Sequence, residues 1–232
     1  MIIVSSLRPA DRCPECISEQ QHSACKSWLR TGNDVAYFTN EPAGDCARVP
    51  CDGKPAIHLL ATWCGQRSDW AAIVNADIIL APTWPAVEAA LRSSGAKAAI
   101  SRRWTLPPDN DPEIDEDPFE DAALIDQGLD FFAARPEVWR EAARFVPKQF
   151  KLGHILWDTW MLSFFVHNFK TADLTDARVV FHPQHEHRGD QSMMRSSDSY
   201  LDMVRWPSIR IGPQVASPPA IVKTEGGGTL RT

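Results

Sequence analysis

The sequence predicts an α/β domain with a mostly parallel central sheet flanked by helices, and three observations predict it. Short apolar runs alternate with amphipathic stretches from Ile2 to Ser101. Strands that alternate with helices need crossover connections, which give a parallel sheet covered on both faces. The chain has 232 residues, the size of one substantial core. Hydrophobic residues make up 44% and charged residues 23%, the balance of a globular chain in water.

The elements follow in order. "IIVSS" (2–6) reads as the first strand. Residues 14–31 read as a helix, with Ile17, Ala24, Trp28 and Leu29 near helical spacing and Gly32 as its stop. "DVAYFT" (34–39) is a second strand, and 57–69 a helix through Ile57, Leu60 and Trp63. "AAIVNADIILAPTW" (71–84) supplies the third strand, its apolar run interrupted by Asn75 and Asp77. Thr83 is placed to cap a helix with Pro85 in its first turn and Gly95 at its end. "KAAIS" (97–101) is a fourth strand.

The alternation then breaks. Residues 109–121, "DNDPEIDEDPFED", hold eight acidic residues and two prolines, a composition that favours a mobile, solvated loop. A strand "LDFFAA" (129–134), a helix opened by Pro136, an apolar helix "WDTWMLSFFVHNF" (157–169) and a last strand "RVVFH" (178–182) follow. The domain is expected to span 1–206. From Pro207 to Thr232, prolines and "GGG" suggest a flexible tail.

The net charge of −6 gives no global basic field for nucleic acid or an anionic membrane. No apolar run reaches the length of a membrane span. "MIIVSSLRP" lacks a basic leader and cleavage site, so a cytoplasmic protein with reduced thiols is expected. "CPEC" (Cys13 to Cys16) could be half a zinc site or a redox pair. Cys46 and Cys51 make a poor second pair, which favours plain loop thiols.

Four sites could carry chemistry. Asn75 and Asp77 follow a buried run, near a strand's carboxyl end, where ligands bind in open parallel sheets; period-two alternation puts them on one side. Asp77 could cap a turn or hold a hard cation on a diphosphate. "FHPQHEHRGD" (181–190) holds three of the chain's seven histidines, and His182 and His185 are the better metal candidates. Glu186 could orient one of these imidazoles by a hydrogen bond. "GHILWDTW" (153–160) puts Asp158 at a helix start, either as an N-cap or as a general base. "SRRW" (101–104) sets Arg102 and Arg103 at a strand end, suited to a diphosphate or to pairing with the acidic loop.

In this order the pieces resemble GT-A-type glycosyltransferases, the Rossmann-like nucleotide-diphospho-sugar transferase superfamily. The similarity is to a bacterial, phage and plant branch with an early "SW" helix, "NADI", "RRW", "GxDxF", "WDNWL" and "HxxH" motifs. This chain has Ser27-Trp28, Asn75-Ala76-Asp77-Ile78, Arg102-Arg103-Trp104, Gly128-Leu129-Asp130-Phe131, Gly153 with Trp157-Asp158-Thr159-Trp160-Met161, and His182-Pro183-Gln184-His185-Glu186.

The resemblance implies a single GT-A domain and a metal-dependent transfer of a sugar from a nucleotide-diphosphate sugar, a UDP-sugar by preference, to an acceptor hydroxyl. "NAD" stands where these enzymes carry "DxD", so Asp77 would hold a divalent metal, Mn2+ rather than Mg2+, with His182 or His185 completing the site. Asn75 leaves one carboxylate there instead of two. Asp158 would be the base and Asp130 would lie near donor sugar or acceptor. Ser5, Ser6, Arg8, Asn75, Arg102, Arg103 and Trp157 would border the nucleotide sugar. The acceptor would be a glycan or a hydroxymethylated base in DNA. The alternatives are a nucleotidyltransferase acting on sugar phosphates, which "SSLRPADRCPEC" disfavours by lacking glycine, and a non-catalytic sugar-nucleotide or metal-binding module.

Overall fold

The computed structural model describes residues 1–7, 15–107, 122–124, 129–153, 156–183, 221–223 and 229–231. The acidic stretch 109–121, Arg8, Cys13, His185, Glu186 and most of the segment after Pro207 lie outside these residues.

The elements are β1 (Ile2–Ser5), α1 (Glu15–Arg30), β2 (Asp34–Phe38), β3 (Ala47–Val49), α2 (Ile57–Gly65), β4 (Ala71–Val74), β5 (Ile79–Leu80), α3 (Trp84–Ser93), β6 (Ala98–Arg102), β7 (Trp104–Leu106), β8 (Leu129–Ala134), α4 (Pro136–Phe145), α5 (Trp157–Asn168), β9 (Thr171–Asp173), β10 (Val180–Pro183), β11 (Ile221–Lys223) and β12 (Thr229–Arg231). The main sheet runs β11-β12-β9-β6-β8-β4-β1-β2-β3. From β9 to β3 it is mostly parallel, with β8 antiparallel to β4 and to β6. A hairpin of β11 and β12 extends it on the β9 edge.

Every residue of β4 and of β8 is buried, as central strands covered on both faces require. One face packs Trp28, Trp84 and Phe131; the other packs Trp139, Phe132, Trp157 and Phe165. Gly65 ends α2 where a Cβ would lie 2.8 Å from Arg140 Cγ and 3.1 Å from its backbone nitrogen. That close approach lets α2 lie against α4. Among the described residues no helix is long and apolar enough to cross a membrane.

Residues 71–84 are not one strand. β4 stops at Val74, the chain turns with Ile78 N donating to Asn75 O at 3.3 Å, and β5 belongs to a second, three-stranded sheet, β5-β10-β7. The two carboxamide and carboxylate positions therefore sit in a turn between sheets, where strand alternation does not apply. Thr83 precedes α3 as expected, but its side chain makes no capping bond; its backbone carbonyl accepts from Ala86 and Val87 instead. The helix read over 57–69 is shorter because Gln66 and Arg67 close it with turn hydrogen bonds to Trp63 and Cys64. The short strands β3, β5, β7 and β9 were too brief to show a period in sequence.

Candidate active site

Three strand ends and one strand of the second sheet converge beside β4. β4 and β8 pair with Val74 opposite Phe131, and continuing that register sets Asn75 opposite Asp130. Asn75 Nδ2 donates to Asp130 Oδ1. A register shift between Ser101 and Arg102 interrupts the β6–β8 pairing, a local irregularity that re-aims side chains. Just beyond it, Arg103 Nη1 donates to Asp130 Oδ2 at 2.6 Å. Both carboxylate oxygens of Asp130 are thus engaged, on a residue that is 6% exposed. Burial pushes the Asp130 carboxyl up, Arg103 opposes that, and the Asp77 charge adds to it.

β10 brings the far end of the chain to the same place. It pairs with β5 with Phe181 opposite Ile79, so the same register sets His182 opposite Ile78. His182 Nε2 lies 3.5 Å from Asp77 Oδ2. His182 is buried at 4% exposure, while the Asp77 side chain keeps 17%. Asp77, Asp130, Arg103 and His182 thus form one electrostatic cluster.

Asp158 stands on the second residue of α5, half-buried, with its Oδ1 accepting from Thr159 N at 2.8 Å. Burial raises its carboxyl, Thr159 lowers it, and Arg103 lowers it further. That shared field with Arg103 ties Asp158 to the cluster. It is not the N-cap. Leu156 holds that position at φ +75°, a left-handed conformation uncommon outside glycine.

The remaining sequence candidates have other surroundings. Ser5 is fully buried and its hydroxyl donates to Val74 O at 2.8 Å, a tie between β1 and β4. Ser6 is half-buried at the end of β1. Arg102 is exposed and its backbone N donates to Thr175 Oγ1. Trp157 is a core residue, edge-on to Phe132 at 5.2 Å and 2% exposed, because a turn of α5 faces the sheet there. Among the described residues no group of three or more His, Cys, Asp or Glu is placed to hold a metal; Asp77 and His182, 3.5 Å apart, are two that could share one.

Sequence reasoning missed the supports of this cluster. Ser27 Oγ accepts from Leu80 N at 3.0 Å, and Trp28 Nε1 donates to Ile78 O at 2.7 Å. α1 therefore holds Ile78 and Leu80, one and three residues after Asp77. Thr175 receives the indole N–H of Trp104 on its carbonyl at 2.9 Å, which holds the segment that carries Arg103.

No family model matches the chain, and no curated protein matches it. Solved structures do. S. aureus TarS 1–349 in complex with UDP-GlcNAc aligns with a TM-score of 0.55 at 12% identity, over 88% of this chain and 64% of that one. A second structure of S. aureus TarS 1–349 aligns at 0.52 and 9% identity, over 78% of this chain and 60% of that one. A putative glucose-1-phosphate thymidylyltransferase from Bacillus anthracis aligns at 0.45 and 11% identity, over 92% and 97%. The chain spans less than two thirds of the TarS segment. The chain shares the fold of the TarS segment, a mixed α/β domain with a mostly parallel central sheet flanked by helices.

Proposed function

We propose that the chain is a metal-dependent glycosyltransferase that moves a sugar from a nucleotide-diphosphate sugar, a UDP-sugar by preference, to an acceptor hydroxyl. The observation that carries this reading is the Asp77–His182 contact of 3.5 Å beside the Asp130–Arg103 pair, at the end of β4 on a GT-A fold. The binding of UDP-GlcNAc by TarS favours a uridine donor.

The donor set suits a divalent metal. One carboxylate oxygen and one imidazole nitrogen match Mn2+ better than Mg2+, which prefers all-oxygen surroundings. They lie 3.5 Å apart, close enough for one ion to reach both. Asp77 and His182 would hold the ion, with diphosphate oxygens supplying further ligands. When bound, it would stabilise negative charge on the departing nucleotide diphosphate.

The chain's own residues do the rest. Arg103, fixed by Asp130, presents a permanent positive charge beside the leaving group. Asn75 locks the Asp130 carboxylate from the other side. Asp158 takes the proton from the acceptor hydroxyl in an inverting reaction, and its raised pKa moves it toward a base's working range. In a retaining reaction Asp158 positions substrate instead.

The acceptor carries a hydroxyl, on a glycan or on a hydroxymethylated DNA base. The test is a donor screen with Mn2+ that reads nucleotide release, followed by both acceptor classes. Release of UDP that rises with acceptor supports the reading. Release of pyrophosphate from a nucleoside triphosphate and a sugar phosphate would replace it with nucleotidyl transfer. No turnover with any donor, in a chain that binds UDP, would leave a binding module.

A further inference from the structure

Away from the carboxylate cluster, two thiols meet. Cys25 on α1 and Cys46 at the start of β3's approach are 21 residues apart in sequence, and their Sγ atoms are 3.2 Å apart. Both are half-buried thiols. They share the wall of a cavity of about 500 Å³ with His22, Leu29, Tyr37 and Pro42. Closing to the bond length of about 2.05 Å needs a shift of roughly 1 Å. The turn that carries Cys46 can supply it: Cys46 N donates to Ala43 O, and Gly44 sits at φ +56° with no atom near its Cβ position.

We infer that Cys25 and Cys46 form a disulfide under mild oxidation, which tethers α1 to the segment between β2 and β3 across the cavity. The co-reactant is a low-molecular-weight disulfide such as oxidised glutathione. One cysteine thiolate attacks a sulfur of that disulfide and releases one molecule of the small thiol. The second cysteine, deprotonated, then attacks the protein-bound sulfur of the mixed disulfide and releases the other small thiol. The two cysteines lose two electrons and two protons, and one small disulfide becomes two thiols. Burial first, then the Cys25 contact, push the Cys46 thiol up to about 12. The thiolate is therefore scarce at neutral pH, and exchange is slow.

The bond would change α1 beyond its own contacts. α1 carries Ser27 and Trp28, which grip the residues after Asp77. A tether at Cys25, two residues before Ser27 on the same helix, fixes that helix to the other wall of the cavity.

The test incubates the full chain in glutathione redox buffer and follows intact mass, alkylation and the thermal midpoint. The expected result is loss of two hydrogens, a cross-linked Cys25–Cys46 peptide, and a midpoint about 5 °C higher, all reversed by dithiothreitol. Cys25→Ser or Cys46→Ser abolishes the link, and the double variant Cys13→Ser/Cys16→Ser keeps it. The inference is overturned if Cys25 and Cys46 stay open to alkylation while another pair links, or if either keeps glutathione without resolving.

Discussion

The indole N–H of Trp28 donates to the carbonyl of Ile78 at 2.7 Å, with both residues fully buried. This bond reaches from α1 to the residue after Asp77, and so holds the backbone that carries Asp77. Trp28→Phe keeps an aromatic ring but loses the N–H donor and part of the ring volume, and the unsatisfied buried carbonyl alone costs about 1–3 kcal/mol. Urea denaturation should show that loss, and UDP binding in Mn2+ should weaken along with it.

Arg103 and Asp130 form a buried pair at 2.6 Å. Arg103→Ala leaves the Asp130 carboxylate without its cation, at about 3–5 kcal/mol. Asp130→Asn removes the charge that needed compensation, and the double variant should recover much of the stability lost in Arg103→Ala. A chemical-denaturation double-mutant cycle measures this, and additive losses would count against the pairing.

Asp158 should set the acid limb of the rate profile. A general base must be deprotonated, so the rate falls as pH drops through its pKa. Burial raises that pKa above the ordinary Asp value of 3.8, and so the limb should lie above the position expected for an exposed aspartate. Asp158→Asn should lower kcat by about 10²–10⁴-fold with donor binding retained. The pH profile of kcat/KM checks the limb, and unchanged turnover in the variant would remove the base role.

Gly65 tests the packing behind the site. Gly65→Ala sets a methyl 2.8 Å from Arg140 Cγ and 3.1 Å from Arg140 N. Arg140 Cγ lies close to its own backbone and the nitrogen is part of α4, so α2 and α4 must separate. The thermal midpoint should fall by an amount equal to about 1–3 kcal/mol of overpacking.

Much of this was legible in sequence. The runs at 2–6, 34–39, 97–101 and 129–134 became strands, because central strands covered on both faces read as apolar blocks. The helices at 14–31 and 157–169 were marked by spacing and by apolar content. The antiparallel sense of β8 was not legible, since a strand's direction depends on the partners it pairs with and not on its own residue pattern. The break at Asn75 was visible as an interruption but not as a change of sheet. β5 has two residues, and its partner β10 lies a hundred residues downstream. The role of Ser27-Trp28 was hidden for the same reason: a side-chain bond to a distant backbone leaves no local pattern. Asp130 was singled out, but its pairing with Asn75 and Arg103 depends on strand register, which single-sequence reading does not supply.

The Asp77–His182 pair is tested most directly by UDP binding measured calorimetrically with Mn2+ and with EDTA, in the wild type, Asp77→Asn and His182→Gln. Binding should require Mn2+ in the wild type and weaken at least about tenfold in each variant, the scale of losing one metal ligand or its close support. UDP binding that ignores Mn2+, or that both substitutions leave unchanged, would contradict a metal held between these two residues.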